Sequence, residues 1–194
     1  MVFFLVRVLR ICWQGWNGES NEHLSLRVLE EEVLAAGTIV NVGNERFVAR
    51  YSVTCDGFWV TRKLSIELEK AEKKKTLALE SDGKGTWTSN CQKAPNLTGA
   101  IDIDLSVTPF TNTLPIRRLK LKEKQTSEIQ VVYVLVPELE VSLKTQRYTC
   151  IVPNERYLFE QPSDNFRREI IVDEEGLVKV YPLLFKRVNC ASVC

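Results

Sequence analysis

The feature of this sequence that most constrains its fold is the alternation of apolar and polar residues, which recurs in many short segments. Tyr51 and Val53, for example, fall on one face of a segment whose other face carries Arg50, Ser52 and Thr54. A period of two residues is typical of a half-buried β-strand. The same pattern predicts strands at 24–29, 38–42, 46–55, 58–68, 77–81, 139–143, 148–152, 157–159, 168–172 and 177–181, and a nearly continuous apolar run predicts another at 129–136. Short strands separated by frequent turns predict an all-β or β-rich, barrel-like fold.

The segment from 101 to 107 predicts a strand that carries two carboxylates. Ile103 and Leu105 share its apolar face, whereas Asp102 and Asp104 share the other face. Side chains two residues apart on a strand lie roughly 7 Å from each other. The two carboxylates are therefore close enough to act as an acid–base pair or to bind arginine side chains bidentately.

A short helix is predicted to follow this strand. Thr108 is a suitable N-cap and Pro109 a suitable first helical residue, because proline lacks the N–H that the first turn leaves unpaired. The residue before a proline is biased away from the helical region. The helix is therefore expected to end near Leu114, with a strand at 116–122, and a helix that continues through Pro115 is the alternative.

Two arginines are expected to meet the two carboxylates. Arg62 interrupts the apolar row of its predicted strand, and Arg117 shares the apolar face of the strand expected after the helix. Because burial of an unpaired charge is strongly unfavourable, we expect at least one of these arginines within salt-bridge reach of Asp102 or Asp104. Two interpretations follow: an ion-pair network that braces the sheet, and a polar patch that binds the head group of an amphiphile.

Charge and hydropathy exclude several classes of partner. The 26 Lys and Arg residues nearly balance the 25 Asp and Glu residues, for a net charge of +1, so we expect neither nucleic acid nor an anionic membrane as a partner. No window approaches the roughly 18 apolar residues of a membrane span. The apolar start of the chain, 1–11, lacks a cleavage site and contains Arg7, so it is predicted to be an edge or extension strand rather than a signal peptide. We therefore expect a cytoplasmic protein with a single domain at 1–194, comprising a core at 13–186 and a tail at 187–194.

Few residues offer catalytic or metal-binding chemistry. His23 is the only histidine, which argues against a Ser–His or Cys–His nucleophile and against a zinc site. The six cysteines lack paired C-x-x-C spacing and are expected to be free, mostly buried thiols, with Cys190 and Cys194 in a disordered tail. A glycine-rich phosphate loop is also missing from the sequence. We therefore predict no metal, no cofactor and no catalytic residue.

Several motifs together resemble a known family. The longest runs from Asp102 to Leu119 and contains Asp-Ile-Asp-Leu and Thr-Pro-Phe-Thr-Asn-Thr-Leu-Pro-Ile-Arg-Arg-Leu. The other motifs are Trp13 with Glu22-His23-Leu24, Tyr51 with Cys55-Asp56, Trp59-x-Thr61-Arg62, Gly85-x-Trp87, Val172-Asp173-x-x-Gly176-Leu177-Val178 and Tyr181-Pro182-x-x-Phe185. Over roughly residues 13–185, this pattern resembles the glycolipid-binding family, formerly a domain of unknown function.

The resemblance implies a spiral β-roll, in which a many-stranded antiparallel sheet winds around one short central helix, and it implies a homodimer. In that family, glycolipid binding is inferred from similarity in shape to bacterial lipoprotein carriers and to an enzyme of the violacein pathway. The resemblance therefore implies a binding protein for a glycolipid-like or other amphiphilic small molecule held inside the roll. The alternatives are a cofactor-free enzyme that positions a reactive intermediate and a purely structural dimeric module.

The candidate ligand-binding residues combine the polar central stretch with aromatic side chains that can line a pocket or stack on a sugar ring. They are Trp59, Arg62, Trp87, Asp102, Asp104, Thr111, Asn112, Arg117, Arg118, Tyr133, Tyr148 and Tyr181. The binding hypothesis requires a cavity larger than a few water molecules.

Overall fold

The computed structural model describes residues 7–190, and its strands form one continuous sheet of 15 strands. The first half of the chain supplies β1 (Arg7–Gly15), β2 (Ser20–Val28), β3 (Glu32–Asn41), β4 (Phe47–Asp56), β5 (Thr61–Lys70), β6 (Lys73–Ser81), β7 (Trp87–Ser89) and β8 (Gln92–Lys93). The second half supplies β9 (Asp102–Leu105), the helix α1 (Thr113–Leu119), β10 (Thr126–Leu135), β11 (Glu140–Val152), β12 (Arg156–Gln161), β13 (Phe166–Val172), β14 (Val178–Tyr181) and β15 (Phe185–Val188). Three 3₁₀ turns, Pro95–Leu97, Phe110–Asn112 and Pro162–Asp164, complete the regular structure.

The sheet consists of two meanders that join at β1. From β1 the first meander runs outward to β8, and the second runs from β9 and β10 back to β15, which pairs with β1. Neighbouring strands are antiparallel, apart from the parallel pair β9 and β10. The sheet is not closed, because β8 and β9 are its two edges. The predicted all-β fold, a curled many-stranded sheet with one short helix, is confirmed.

The helix lies inside the curl of the sheet. Phe110 and Leu114 are fully buried in the main hydrophobic core. That core contains apolar side chains that point inward from both meanders. Examples are Leu24 and Ile66 of the first meander and Ile103 and Val134 of the second. The winding of the sheet around this segment buries apolar surface from both meanders, which is the main favourable contribution to folding.

The expected end of the helix near Leu114 is wrong, and so is the expected strand at 116–122. The helix α1 passes through Pro115 and ends at Leu119, followed by Lys120 in a left-handed conformation. Pro115 is the third residue of α1, where a helical N–H has no regular partner. Its missing N–H therefore costs little there, and the alternative of a continuous helix is the correct one.

The predicted orientation of Arg62 is also wrong, because β5 contains a bulge. Thr61 pairs with Cys55 and Lys63 pairs with Thr54, so Arg62 is an extra residue opposite this step of β4. One inserted residue exchanges the two faces of a strand. As a result Thr61 is buried, and the Arg62 guanidinium binds Asp56 with an Nη2–Oδ2 distance of 2.8 Å.

The prediction that all cysteines are free is wrong for two of them. Cys12 and Cys190 form a disulfide, with Cα atoms 5.4 Å apart. Cys55 and Cys150 are buried free thiols, as predicted, whereas Cys91 is free and exposed. Cys194 lies outside the described residues.

The N-terminal strand agrees in part with its prediction. Among the described residues, positions 7–11 of β1 pair only with β2, as an extension strand would, and positions 12–14 pair with both β2 and β15. Residues 1–6 lie outside the described part of the chain. Within residues 7–190, no helix has the length and hydrophobicity needed to cross a membrane.

Candidate functional site

Two neighbouring clefts open where the ends of β1, β3, β9 and β14 meet. We call the first the aspartate cleft; its volume is about 300 Å³, and it is lined by Asp104, Asn112, Tyr133, Phe159, Gln161 and Tyr181, with Thr108, Asp164 and Phe166 beside them. We call the second the tryptophan cleft; its volume is about 340 Å³, and it is lined by Trp16, Ile39, Phe47, Val107, Leu183 and Leu184, with Asn17, Glu19 and Asn41 beside them. Ser106, Leu184 and Phe185 line both clefts, so the two are adjacent.

Asp104 is the acidic residue of β9 that reaches the aspartate cleft. Its Oδ1 accepts a hydrogen bond from the Thr111 hydroxyl (2.9 Å), and its Oδ2 accepts one from the Gln146 amide nitrogen (2.6 Å). Desolvation raises the pKa of Asp104, whereas the bonds from Thr111 and Gln146 and the charge of Lys144 lower it in part. Within residues 7–190, Asp104 forms no salt bridge. Its carboxylate is therefore held in place by neutral donors.

Gln146 and Tyr148 connect Asp104 to Asn112, another residue of the same cleft. The Tyr148 hydroxyl donates to Asn112 Oδ1 at 3.0 Å and lies 3.4 Å from Gln146 Oε1. Tyr148 and Gln146 are both buried. Because buried polar groups with satisfied hydrogen bonds are well ordered, this network fixes Asp104 and Asn112, two of the polar groups that the cleft offers to a ligand.

Aromatic rings form the rest of the wall. Phe159 packs edge-to-face against Tyr148 (5.2 Å between ring centroids), Phe166 (6.0 Å) and Tyr181 (6.1 Å). Phe185 extends the cluster, with its ring 6.4 Å from that of Tyr181. Rings packed in this geometry lose little freedom when a ligand binds. The cleft is therefore a preformed aromatic surface with a carboxylate and amides among the rings.

Two cations stand over rings of this cleft. The Lys144 ammonium lies 4.5 Å from the centroid of the Tyr133 ring and 2.9 Å from Asp164 Oδ2. The Arg168 guanidinium lies 5.1 Å from the centroid of the Phe166 ring. Both distances are within the range of a cation–π contact.

A buried acid lies directly behind the aspartate cleft. Glu22 Oε1 accepts hydrogen bonds from the Tyr51 hydroxyl (2.5 Å) and from the hydroxyl of Thr108 (2.8 Å), a residue that lines the cleft. Among the described residues, Glu22 Oε2 has no partner. Desolvation raises the pKa of Glu22 to about 7, against the lowering effect of the two hydroxyl bonds. Glu22 can therefore exchange a proton near neutral pH.

The structure brings half of the predicted site residues to the aspartate cleft. Asp104, Asn112, Tyr133 and Tyr181 line it. Thr111 and Tyr148 stand behind these residues and hold Asp104 and Asn112.

The other six predicted residues lie elsewhere. Asp102 is buried and binds Arg118 at 2.6 Å, so the expected ion pair between Asp102 or Asp104 and Arg62 or Arg117 is wrong. Arg62 binds Asp56, as described above, and the Arg117 guanidinium lies 5.2 Å from the Trp59 ring centroid. Trp59 and Trp87 are buried in the main core, where Trp87 donates to the Ala100 carbonyl.

Several residues of the site were absent from the sequence-based set. They are Trp16, Glu22, Tyr51, Thr108, Phe159, Gln161, Asp164, Phe166 and Phe185. A signal existed for some of them, since Glu22, Tyr51 and Phe185 belong to the motifs that carry the family resemblance. Glu22 also continues the inward alternation of Leu24 and Leu26 one step back along β2.

Metal-ligating groups do not gather in the described part of the molecule. Residues 7–190 contain no cluster of three or more His, Cys, Asp or Glu side chains that would hold a metal ion. That the protein uses no cofactor stays a prediction.

Comparison with known proteins supports the resemblance read from the motifs. A family model described as "Putative glycolipid-binding" matches residues 10–187. The crystal structure of a DUF1089 family protein from Pseudomonas aeruginosa, determined at 1.80 Å resolution, is similar, with a TM-score of 0.78 and 32% sequence identity. The match covers 88% of this chain and 92% of that one. Among curated proteins, none matches this chain.

Proposed function

Because the chain belongs to the family described as "Putative glycolipid-binding", we propose that it binds an amphiphilic small molecule of glycolipid type across its two adjacent clefts. The observation that carries this proposal is that the two clefts adjoin at Ser106, Leu184 and Phe185, so a ligand that crosses these residues would contact both clefts. The ligand site is therefore an open double cleft rather than the enclosed interior of the roll.

The aspartate cleft suits the polar end of such a ligand. Asp104 and the side-chain amides of Asn112 and Gln161 supply acceptors and donors, and the rings of Phe159 and Tyr181 supply flat apolar surface. A few fixed polar groups among aromatic side chains are typical of small-molecule sites. The polar groups of this lining can form hydrogen bonds with the hydroxyls of a head group, and its rings can pack against the apolar faces of the head group.

The tryptophan cleft suits the apolar end. Ile39, Phe47 and Val107 lie along it. Trp16 and Leu183 are 46% and 63% exposed, and both belong to the same cleft. Large apolar side chains grouped at an exposed cleft mark a surface whose burial by a ligand is favourable. An alkyl chain laid along this cleft would cover them.

Trp16 provides a direct readout for binding. The chain has four tryptophans, and Trp13, Trp59 and Trp87 are buried, so acrylamide quenching reports mainly on Trp16. We expect n-octyl glucoside, below its micelle concentration, to protect Trp16 from acrylamide in a saturable way. Leu183→Ser should weaken this binding.

A matched control is Phe58→Ser, because Phe58 is 79% exposed and does not line either cleft. It should leave the affinity unchanged. No saturable protection by alkyl glycosides, together with an empty protein by native mass spectrometry after purification from its own host, would refute the proposal.

A cofactor-free enzyme is the second candidate, and Glu22 is the observation that favours it. A carboxyl with a pKa of about 7 that contacts a cleft-lining hydroxyl is suited to general acid–base work at neutral pH. Incubation of a co-purified ligand with the protein, followed by mass spectrometry, tests this candidate. Chemical conversion by the wild type but not by a folded Glu22→Gln variant would favour it over simple binding.

Two further expectations remain predictions. The family resemblance implies a homodimer, and the alternative of a purely structural dimeric module also requires one. Light scattering coupled to size-exclusion chromatography measures the molecular mass and so tests the dimer. Cell fractionation tests the cytoplasmic location, which is of interest because disulfides such as Cys12–Cys190 are more frequent in oxidising compartments.

A further inference from the structure

We propose that the aspartate cleft is a site for an organic cation, a protonated amine or a quaternary ammonium. This inference rests on the proposed function and specifies the head group of the amphiphile: it carries a positive charge. Two observations support it: within residues 7–190 no salt bridge reaches Asp104, and five aromatic side chains line the same cleft.

The two aspartates of β9 differ in how their charges are balanced. Asp102 is fully buried, and Arg118 binds it through Nε (3.0 Å) and Nη2 (2.6 Å). Asp104 receives only two neutral donors, from Thr111 and Gln146, and within residues 7–190 no salt bridge reaches it. The Lys144 ammonium influences Asp104 only at a distance, because its salt bridge is to Asp164. A desolvated carboxylate without a directly paired counter-ion is unfavourable, so a cation bound in the cleft would be stabilised.

The Asp104 carboxylate also has acceptor capacity left for a ligand. An ionised carboxylate can accept about four hydrogen bonds, and Asp104 accepts one on each oxygen. Since the side chain lines the cleft, the remaining lone pairs are the natural partners of an ammonium group.

Five aromatic side chains line the same cleft as this carboxylate. They are Tyr133, Phe159, Phe166, Tyr181 and Phe185. The faces of aromatic rings attract cations, and rings grouped in this way recognise quaternary ammonium ions. Two of these rings already attract cations of the protein, Lys144 at Tyr133 and Arg168 at Phe166.

An anionic head group is the competing interpretation, because Lys144 and Arg168 stand near the cleft. Lys144, however, is paired with Asp164 at 2.9 Å. Neither cation lines the cleft, whereas Asp104 and Asp164 both do. The charged side chains that line the cleft itself are therefore both acidic.

Three probes with the same ten-carbon chain separate the head groups: decyltrimethylammonium, decyl glucoside and decyl phosphate. Their dissociation constants would be measured at neutral pH, below each micelle concentration, by Trp16 quenching and calorimetry. We expect the ammonium probe to bind about tenfold more tightly than the glucoside, and the phosphate to bind most weakly. The variant Asp104→Asn should weaken the ammonium complex by about tenfold and the glucoside complex by much less.

Two controls keep the test informative. Glu160→Gln removes a carboxylate of the neighbouring strand β12 that does not line the cleft, and it should leave the preference for the ammonium probe intact. If Asp104→Asn does not fold, Phe166→Leu serves instead, because loss of one ring should weaken the ammonium complex several-fold and spare the glucoside.

The outcomes distinguish this inference from the function it rests on. Binding of the glucoside as tightly as the ammonium, or equal losses for both in Asp104→Asn, would overturn the cation site and leave amphiphile binding in place. Tightest binding of the phosphate would replace it with an anion site. If none of the three probes binds, the proposed function itself fails.

Discussion

Glu22 and Tyr51 share a short hydrogen bond in the interior of the protein, with 2.5 Å between the Tyr51 hydroxyl and Glu22 Oε1. The two residues come from β2 and β4, on either side of β3, and both side chains are buried. Burial raises the pKa of the Glu22 carboxyl from 4.5 to about 7. The interior of the sheet therefore contains an acid that titrates close to physiological pH.

The first prediction concerns the pH dependence of stability. Between pH 4.5 and about 7, folded Glu22 retains a proton that the unfolded chain releases, so the free energy of unfolding falls as pH rises through this window. The loss attributable to Glu22 is about 3 kcal/mol. Urea denaturation at pH 5 and pH 8 should show this loss in the wild type and a smaller one in Glu22→Gln. Glu160→Gln should behave as the wild type, and identical pH profiles for wild type and Glu22→Gln would contradict the raised pKa.

The second prediction concerns Gly37, which lies beside Tyr51. A Cβ added at Gly37 would overlap the Tyr51 ring at Cε1, Cζ and the hydroxyl oxygen. Gly37→Ala should therefore displace Tyr51 from Glu22 and cost roughly 1–3 kcal/mol of stability, as overpacking in a core does. Thermal unfolding measures the cost. The pair Gly37→Ala with Tyr51→Phe tests the cause: because each change removes the Tyr51–Glu22 hydrogen bond, the double variant should lose less stability than the sum of the two single losses.

The third prediction concerns the buried ion pair of Asp102 and Arg118. Arg118→Met removes the counter-ion of a fully buried carboxylate and should cost about 3–5 kcal/mol at neutral pH. Addition of Asp102→Asn should recover much of this cost. Arg62→Met is the matched control, because the Arg62–Asp56 pair is partly exposed and such pairs contribute about 1 kcal/mol or less. Equal losses for the two arginine variants would show that burial does not decide the cost.

The fourth prediction concerns the Cys12–Cys190 disulfide, which spans 178 residues and ties the end of the chain after β15 to β1. Cys12→Ser should lower the free energy of unfolding by about 2–5 kcal/mol. It should also increase the rate of amide hydrogen exchange in β15, which contains Phe185, a residue that lines both clefts. Cys91→Ser, at an exposed free thiol, is the control and should be neutral. A reducing agent that leaves the stability of the wild type unchanged would argue against the disulfide.

The strands themselves could be predicted from the sequence, because the direction of a side chain in a strand depends only on its position along the strand. Phe47, Ala49, Tyr51, Val53 and Cys55 alternate in the sequence, and all five are buried in β4. Where local geometry changes, the same rule fails. A single extra residue at Arg62 exchanged the faces of β5, and no period in the sequence marks that insertion.

The sequence by itself determined the all-β class, the positions of most strands and the family, because each depends on local alternation or on a linear motif. Only the tertiary structure decided which residues meet. Asp104, Gln146 and Tyr181 are far apart in the chain, and they converge because the sheet winds β9, β11 and β14 around one cleft. The partner of Asp102 is Arg118 rather than Arg117 because α1 continues through Pro115 and so sets which arginine faces β9. Contacts between distant segments depend on strand order and winding, and these are set by burial of the whole core rather than by any short stretch of sequence.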